Sequence, residues 1–387
     1  MNDFDYLGEG EVYLDAACQS LRPRPVIEAL SDYYTEHNSC GERVKYKWGK
    51  ITDEKVEATR EKVLKYLKLK PRKYTVSFTL NTTYGINLIL SQIDEKKFKK
   101  IMTSEIEHNS PFLGTMAFSK RTGLPREVMA RNEDGSIDVN KYDFEKAIVV
   151  VNCASNFDGR KLHNIEELTK AIHKAGGILI IDAAQAMAHS SDILRGVEAD
   201  AICFSAHKLY APSLGVIVWR DELDNVLKPT WLGGGMVDDV KRDSFQLSAD
   251  NKEHRYTRFE SGLQAWGEIV GLSAALDWLM NLPKEEWRNL QENTEELYDF
   301  LSQAENVHLV NREANPTMSF YIDGLDSHLL GEALSRENIM ARTGYFCAHY
   351  YLDHVLGLPP LMRFSLGLHN RPEDIEKVKT VLGKILK

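Results

Sequence analysis

Gly177-Ile178-Leu179-Ile180-Ile181-Asp182-Ala183-Ala184-Gln185 and Asp200-Ala201-Ile202-Cys203-Phe204-Ser205-Ala206-His207-Lys208 decide the fold. Each is a short unbroken apolar run that ends on polar residues. A strand buried on both faces loses the in-and-out alternation and reads as continuous Val, Ile and Leu. The same pattern recurs at Thr75-Val76-Ser77-Phe78-Thr79, at Lys100-Ile101-Met102-Thr103, at Ala147-Ile148-Val149-Val150-Val151-Asn152 and over 215–219. Helical stretches lie between these runs, from about Thr83, after Pro111, and from Asn164 to Lys174. The expectation is an α/β fold, with a mostly parallel seven-stranded sheet covered by helices on both faces.

A chain of 387 residues exceeds what one core usually organises. The expected division is a large domain over 21–284 and a smaller α+β C-terminal domain over 285–387, with 1–20 packing on the smaller one. A long helix from Trp266 to Trp278 and a last helix from Pro372 to Leu386 belong to this scheme.

Net charge is −9 and Lys and Arg form no dense block, which argues against nucleic acid as a partner. No apolar run approaches the ~18 residues of a membrane span. The N-terminal Met1-Asn2-Asp3-Phe4-Asp5 is acidic and lacks the basic and apolar regions of a secretory signal. Five widely spaced cysteines with no CxxC fit neither a disulfide framework nor a zinc site. A reducing cytoplasm is expected.

In open α/β sheets, ligands bind beyond the carboxyl ends of the strands. Asn156, Asp182 and the segment Ser205 to Lys208 all fall there. A lysine amine becomes nucleophilic when burial and nearby cations lower its pKa, so Lys208 can form a Schiff base. An aspartate in the same crevice can hold a pyridinium nitrogen protonated. Lys208 with Asp182 is therefore the pairing that pyridoxal phosphate (PLP) chemistry needs. Thr82-Thr83-Tyr84-Gly85-Ile86-Asn87 opens a helix, where hydroxyls and free N–H groups suit a phosphate that Ser205 and His207 can also contact.

His108 follows a strand, where it can lie on an aromatic ring and move a proton. Gln185 and Asn156 are candidates for the phenolate oxygen of such a ring. Arg363, inside the apolar run Leu361-Met362-Arg363-Phe364-Ser365-Leu366, needs an anion; a substrate carboxylate and an internal salt bridge weigh equally. Cys347 stands near Arg342 and His349, which can favour its thiolate. Cys18, Cys40, Cys153 and Cys203 read as small buried hydrophobes.

With these residues in order, the chain resembles the class V aminotransferase family of fold type I PLP enzymes, and within it the cysteine desulfurase/selenocysteine lyase group. The likeness runs from Tyr13-Leu14-Asp15-Ala16-Ala17 to Arg363. It is carried by Asp182-Ala183-Ala184-Gln185-Ala186, by Ser205-Ala206-His207-Lys208-Leu209-Tyr210, by Phe259-Glu260-Ser261-Gly262 and by Arg342-Thr343-Gly344-Tyr345-Phe346-Cys347. The resemblance implies a homodimer that removes sulfur from L-cysteine, leaving alanine and a persulfide on Cys347 for an acceptor protein. It implies that Lys208 carries the cofactor, His108 stacks on it and Asp182 faces its nitrogen. Thr82, Thr83, Ser205 and His207 would hold the phosphate, with Gly262 contributing near the subunit interface. Arg363, Arg342 and Asn156 would receive the substrate.

The sequence departs from the family at Leu263-Gln264, where a threonine commonly follows the glycine, and at Ala17-Cys18-Gln19-Ser20, where a hydroxyl pair is usual. The enzymatic rival is another class V activity, a C–S lyase, epimerase or aminotransferase. A scaffold without turnover is the rival from another class, and the retention of Lys208, Asp182 and His108 speaks against it.

Overall fold

A computed structural model describes residues 3–41 and 44–386; Met1 and Asn2 of the N-terminal reading lie outside them. The chain opens with β1 (Val12–Tyr13) and two helices, α1 (Arg24–Glu36) and α2 (Lys47–Tyr66). Strand and helix then alternate through β2 (Tyr74–Thr79), α3 (Thr82–Gln92), β3 (Lys100–Ser104), α4 (Asn109–Thr122) and β4 (Arg126–Met129). There follow β5 (Ala147–Asn152), α5 (Ile165–Lys174), β6 (Ile178–Asp182), the short α6 (Ala186–His189), β7 (Ala201–Ser205) and β8 (Gly215–Arg220). An exposed hairpin of β9 (Val237–Lys241) and β10 (Ser244–Leu247) leads to α7 (Trp266–Asn281) and α8 (Lys284–Ser302). The remainder is β11 (Val307–Leu309), β12 (Thr317–Ile322), α9 (Ser327–Arg336), β13 (Ile339–Met340), β14 (Arg342–Gly344), β15 (Leu361–Ser365) and α10 (Pro372–Ile385).

Seven strands form the main sheet in the order β2-β8-β7-β6-β5-β3-β4. Only β8 runs against its neighbours; every other pairing is parallel. The continuous apolar runs are explained by two cores. Ile148, Val150, Ile180 and Cys203 face a layer containing Ile86 and Ile89 of α3, whereas Val149, Val151, Ile181 and Phe204 face α7 and its neighbours. Alternate residues thus enter different cores, and both are apolar. Helix α5 buries Ile165, Leu168 and Ile172, a spacing that keeps one stripe on the sheet.

The fold class follows the sequence reading, and some element boundaries move. Helix α4 starts at Asn109, ahead of Pro111, because the His108 side chain caps it by accepting from Ser110 N–H. Helix α3 is capped by Asn81, whose side chain accepts from Tyr84 N–H. Edge strand β4 escapes the sequence pattern because three of its four residues are only half-buried.

A second sheet, β11-β12-β15-β14, is antiparallel. Strand β1 pairs with β13, and Asp15 bridges to Ser365 at the end of β15. This pairing carries the N-terminal segment to the mouth of the main sheet's carboxyl edge.

Candidate active site

The carboxyl ends of β5, β6 and β7 lie in register, with Asn152 opposite Asp182 and Asp182 opposite Cys203. Together with the start of α3 they open onto a cavity of about 280 Å³. Every site residue read from the sequence lines it except Gly262.

One end of the cavity is a cradle of hydroxyls. Ser205 Oγ accepts from Thr82 N–H at 2.9 Å and pairs with Thr82 Oγ1 at 2.7 Å. Thr83 Oγ1 pairs with Ser110 Oγ at 2.6 Å. These groups surround the N-terminal turn of α3, where the helix dipole favours an anion.

At the cavity's centre burial sets the electrostatics. Asp182 is buried, which pushes its carboxyl above the usual range, while the Ala184 N–H and the Lys208 amine pull it back. Burial likewise lowers the Lys208 amine from the ordinary lysine value; Asp182 opposes this and Arg363 adds to it. Burial, then Lys208 and Arg363, bring His108 down to about 4, so its ring is neutral at physiological pH. Ser110 N–H donates to His108 Nδ1 at 3.0 Å, and an accepting Nδ1 leaves the proton on Nε2. Gln185 Nε2 donates to Ala17 O at 2.8 Å, fixing the amide against the cavity wall. Behind that wall Glu107 accepts from Asn152 N–H at 2.7 Å and Arg131 donates to Asn152 Oδ1 at 2.9 Å.

Cys347 is exposed on the loop after β14, with φ of +60° following Phe346 at +49°. Two successive left-handed residues without glycine are costly. The loop is held in that shape from both sides: Asn109 N–H donates to Cys347 O at 2.6 Å, and Asn156 Nδ2 donates to Phe346 O.

The structure gives several of these residues particular partners, and the readings of two cysteines need correction. Among the described residues Arg342 has no hydrogen bond to Cys347; it donates to Cys18 Sγ at 3.2 Å and reaches Asp15 at 3.5 Å, both on the segment that follows β1. His349 turns instead towards Asn109, 3.5 Å away. Arg363 meets an internal carboxylate, Asp15, at 2.8 Å, and donates to Asn156 O at 2.9 Å. Gly262 sits outside the cavity of its own chain, in an exposed turn with φ of +82° whose N–H donates to Gly234 O. Cys18 is a cavity-lining thiol rather than a buried hydrophobe, and Cys40 is exposed. Sequence reasoning passed over Cys18, Asp15 and Asn81; of these only Cys18 carried a signal, as a departure from the usual hydroxyls.

The chemistry of the donor set fits pyridoxal phosphate. A hydroxyl-lined helix start suits its phosphate, a buried carboxylate its ring nitrogen, and an amine of lowered pKa its aldehyde. Asn156 Oδ1 and Arg363 Nε, both buried without a partner among the described residues, mark the part of the wall left for a polar guest.

The comparisons with known proteins agree with this chemistry. The family model for Aminotransferase class-V matches residues 12–378. A probable cysteine desulfurase of Haemophilus influenzae is 30% identical over 97% of this chain and 86% of its own length. One from Pyrococcus abyssi is 28% identical, covering 97% and 94%. Among solved structures, the apo cysteine desulfurase of Thermococcus onnurineus superposes with a TM-score of 0.87 at 26% identity, covering 98% of this chain and 95% of that one. A match across nearly the whole chain, on a fold whose cavity carries the lysine, aspartate and histidine in place, shows that this protein belongs to the class-V aminotransferase family, whose members use pyridoxal phosphate.

Proposed function

We propose that this enzyme is a PLP-dependent cysteine desulfurase that takes L-cysteine to alanine and leaves the sulfur on Cys347. One observation carries the reading: a thiol on a loop pinned by Asn109 and Asn156 lines the same cavity as Lys208, Asp182 and His108. A C–S lyase, epimerase or aminotransferase needs no nucleophile there.

Bound at this site, pyridoxal phosphate supplies an electron sink that makes the α-proton of an amino acid acidic and loosens its β-substituent. The residues do the rest. Asp182 would keep the pyridine nitrogen protonated as its charge partner. Thr82, Thr83, Ser205 and His207 would hold the phosphate, and Gln185 and Asn156 would serve the phenolate side. Lys208 would hold the aldehyde, and its Nζ would serve as the base for the substrate's α-proton. Neutral His108 would cover the ring, with its Nε2–H as a hydrogen-bond donor into the cavity. Arg363 and Arg342 orient the substrate carboxylate, with Asp15 giving way to it. The Cys347 thiolate then attacks the substrate sulfur; the carbon–sulfur bond breaks, its electron pair stays on the β-carbon, and protonation yields alanine.

A homodimer belongs to the same reading. Leu263 is 78% exposed and Trp231 53%, and Trp231 packs against Tyr84 beside the phosphate cradle. Apolar side chains left open there support a second subunit that brings its Gly262 turn near the cradle. The second sheet and the pairing of β1 with β13 support the domain division at 20/21 and 284/285. No helix among the described residues is long and apolar enough to cross a membrane. We place the enzyme in the cytoplasm on its free cysteines, with a protein thiol as sulfur acceptor.

The test is a panel of amino acids offered to the PLP-loaded protein, with alanine, sulfide and keto acid measured for each. Cysteine should give alanine without keto acid. Cys347→Ala should keep the cofactor absorbance and lose alanine formation by about 10²-fold or more. Sulfide release with keto acid that survives in that variant would turn the assignment to a C–S lyase.

A further inference from the structure

Cys18 shares the cavity with Cys347, and nothing in the reaction described above uses it. It is reached from a part of the chain more than 300 residues away in sequence, through Arg342, which donates to its sulfur at 3.2 Å. That guanidinium fixes the sulfur at the cavity wall. Arg342 and Lys208 both lie within electrostatic range of Cys18 and of Cys347, so the two thiols face one pair of cations. The wall beside them is built for a polar guest: Arg363 Nε and Asn156 Oδ1 are buried and unpartnered. A persulfide also extends its reactive sulfur about 2 Å beyond the thiol that carries it.

We propose that Cys18 is a second sulfur-carrying thiol of this site, taking the sulfane sulfur from Cys347. The inference rests on the desulfurase reading. The Cys18 thiolate attacks the outer sulfur of the Cys347 persulfide. A new sulfur–sulfur bond forms on Cys18, the old one breaks, and its electron pair leaves with Cys347 as thiolate. One persulfide and one thiolate enter and leave the step, so no oxidant or reductant is consumed. Cys347 is then free for a second substrate before any acceptor arrives. The deeper thiol, half-buried where Cys347 is exposed, keeps the stored sulfur away from solvent.

The experiment is a time course of the holoenzyme with excess L-cysteine and no reductant, trapped with iodoacetamide and mapped by peptide mass spectrometry, with alanine counted per chain. An extra sulfur should arise first on Cys347 and then on Cys18, and the alanine burst should be about twofold that of Cys18→Ser. In Cys347→Ser, Cys18 should stay unmodified. Sulfur on Cys347 alone would overturn the relay and leave the desulfurase reading standing. Sulfur on Cys18 in Cys347→Ser would overturn the order of transfer proposed here. Absence of both alanine and any persulfide would overturn the relay together with the reading beneath it.

Discussion

Arg363 is the residue whose surroundings say most about how substrate enters. Burial lowers its pKa, and Asp15 opposes that lowering without cancelling it. Asp15 sits beside the cavity, 2.8 Å from Arg363 and 3.5 Å from Arg342. Under the proposed function it holds donors that an incoming carboxylate would need, and the two would compete for them. Asp15→Asn should therefore leave Arg363 with an incomplete set of partners. Taking one member from a buried pair costs about 3–5 kcal/mol, and less here because Asp15 is partly exposed. A bound amino acid would restore the missing charge. The thermal midpoint of Asp15→Asn should fall, and L-alanine should raise it by more than it raises the wild type. Equal gains in the two proteins would show that Asp15 and the substrate carboxylate do not share Arg363.

The junction of β8 with β2 and α3 shows how the elements fix the cradle. Gly215 pairs with Thr79 on one side and Ser205 on the other. A Cβ there would lie 2.4 Å from Asn81 N and 2.4 Å from Thr79 Oγ1, backbone and strand atoms that have little room to move. Gly215→Ala should push the start of α3 away from Ser205, costing about 1–3 kcal/mol and weakening PLP retention. Cofactor release on dilution, followed by absorbance, reads the second effect; unchanged retention would mean that the cradle does not depend on this contact. Much of this level was legible in sequence. The strands announced themselves because both their faces are buried, and the polar residues after them named Asp182, Ser205 and Lys208. What sequence could not give were contacts between distant segments. Nothing local in Asp15 or Cys18 points to Arg363 or Arg342, which arrive through the pairing of β1 with β13. Gly262 was legible as a motif, and in its own chain it lies in an exposed turn away from the cavity.

For the molecule as a whole, the carboxyl edge of the sheet is wrapped by neutral histidines, and this sets its response to acid. His369 is the most enclosed. Burial brings it down to about 4, partly offset by the Tyr13 carbonyl that its Nε2 donates to at 2.8 Å. Its ring meets those of Phe4 and Tyr13. Burial also takes His189 to about 4, where it packs edge-on to Tyr210. In the unfolded chain these rings titrate near 6.5. Between those two values the unfolded state binds more protons than the folded state, so stability rises with pH across the window. The contribution is fully present above about pH 6.5 and is lost as pH falls towards 4. Each such histidine adds at most about 1.4 kcal/mol per pH unit to the slope. Urea unfolding at fixed protein concentration, between pH 7 and pH 4.5, should show that dependence. His369→Gln keeps a donor for the Tyr13 carbonyl and cannot titrate. It should be less stable at pH 7 through lost packing, yet show a shallower slope than the wild type. A slope unchanged in His369→Gln would mean that His369 is protonated in the folded protein as readily as in the unfolded one, and that burial at this position does not exclude the charge.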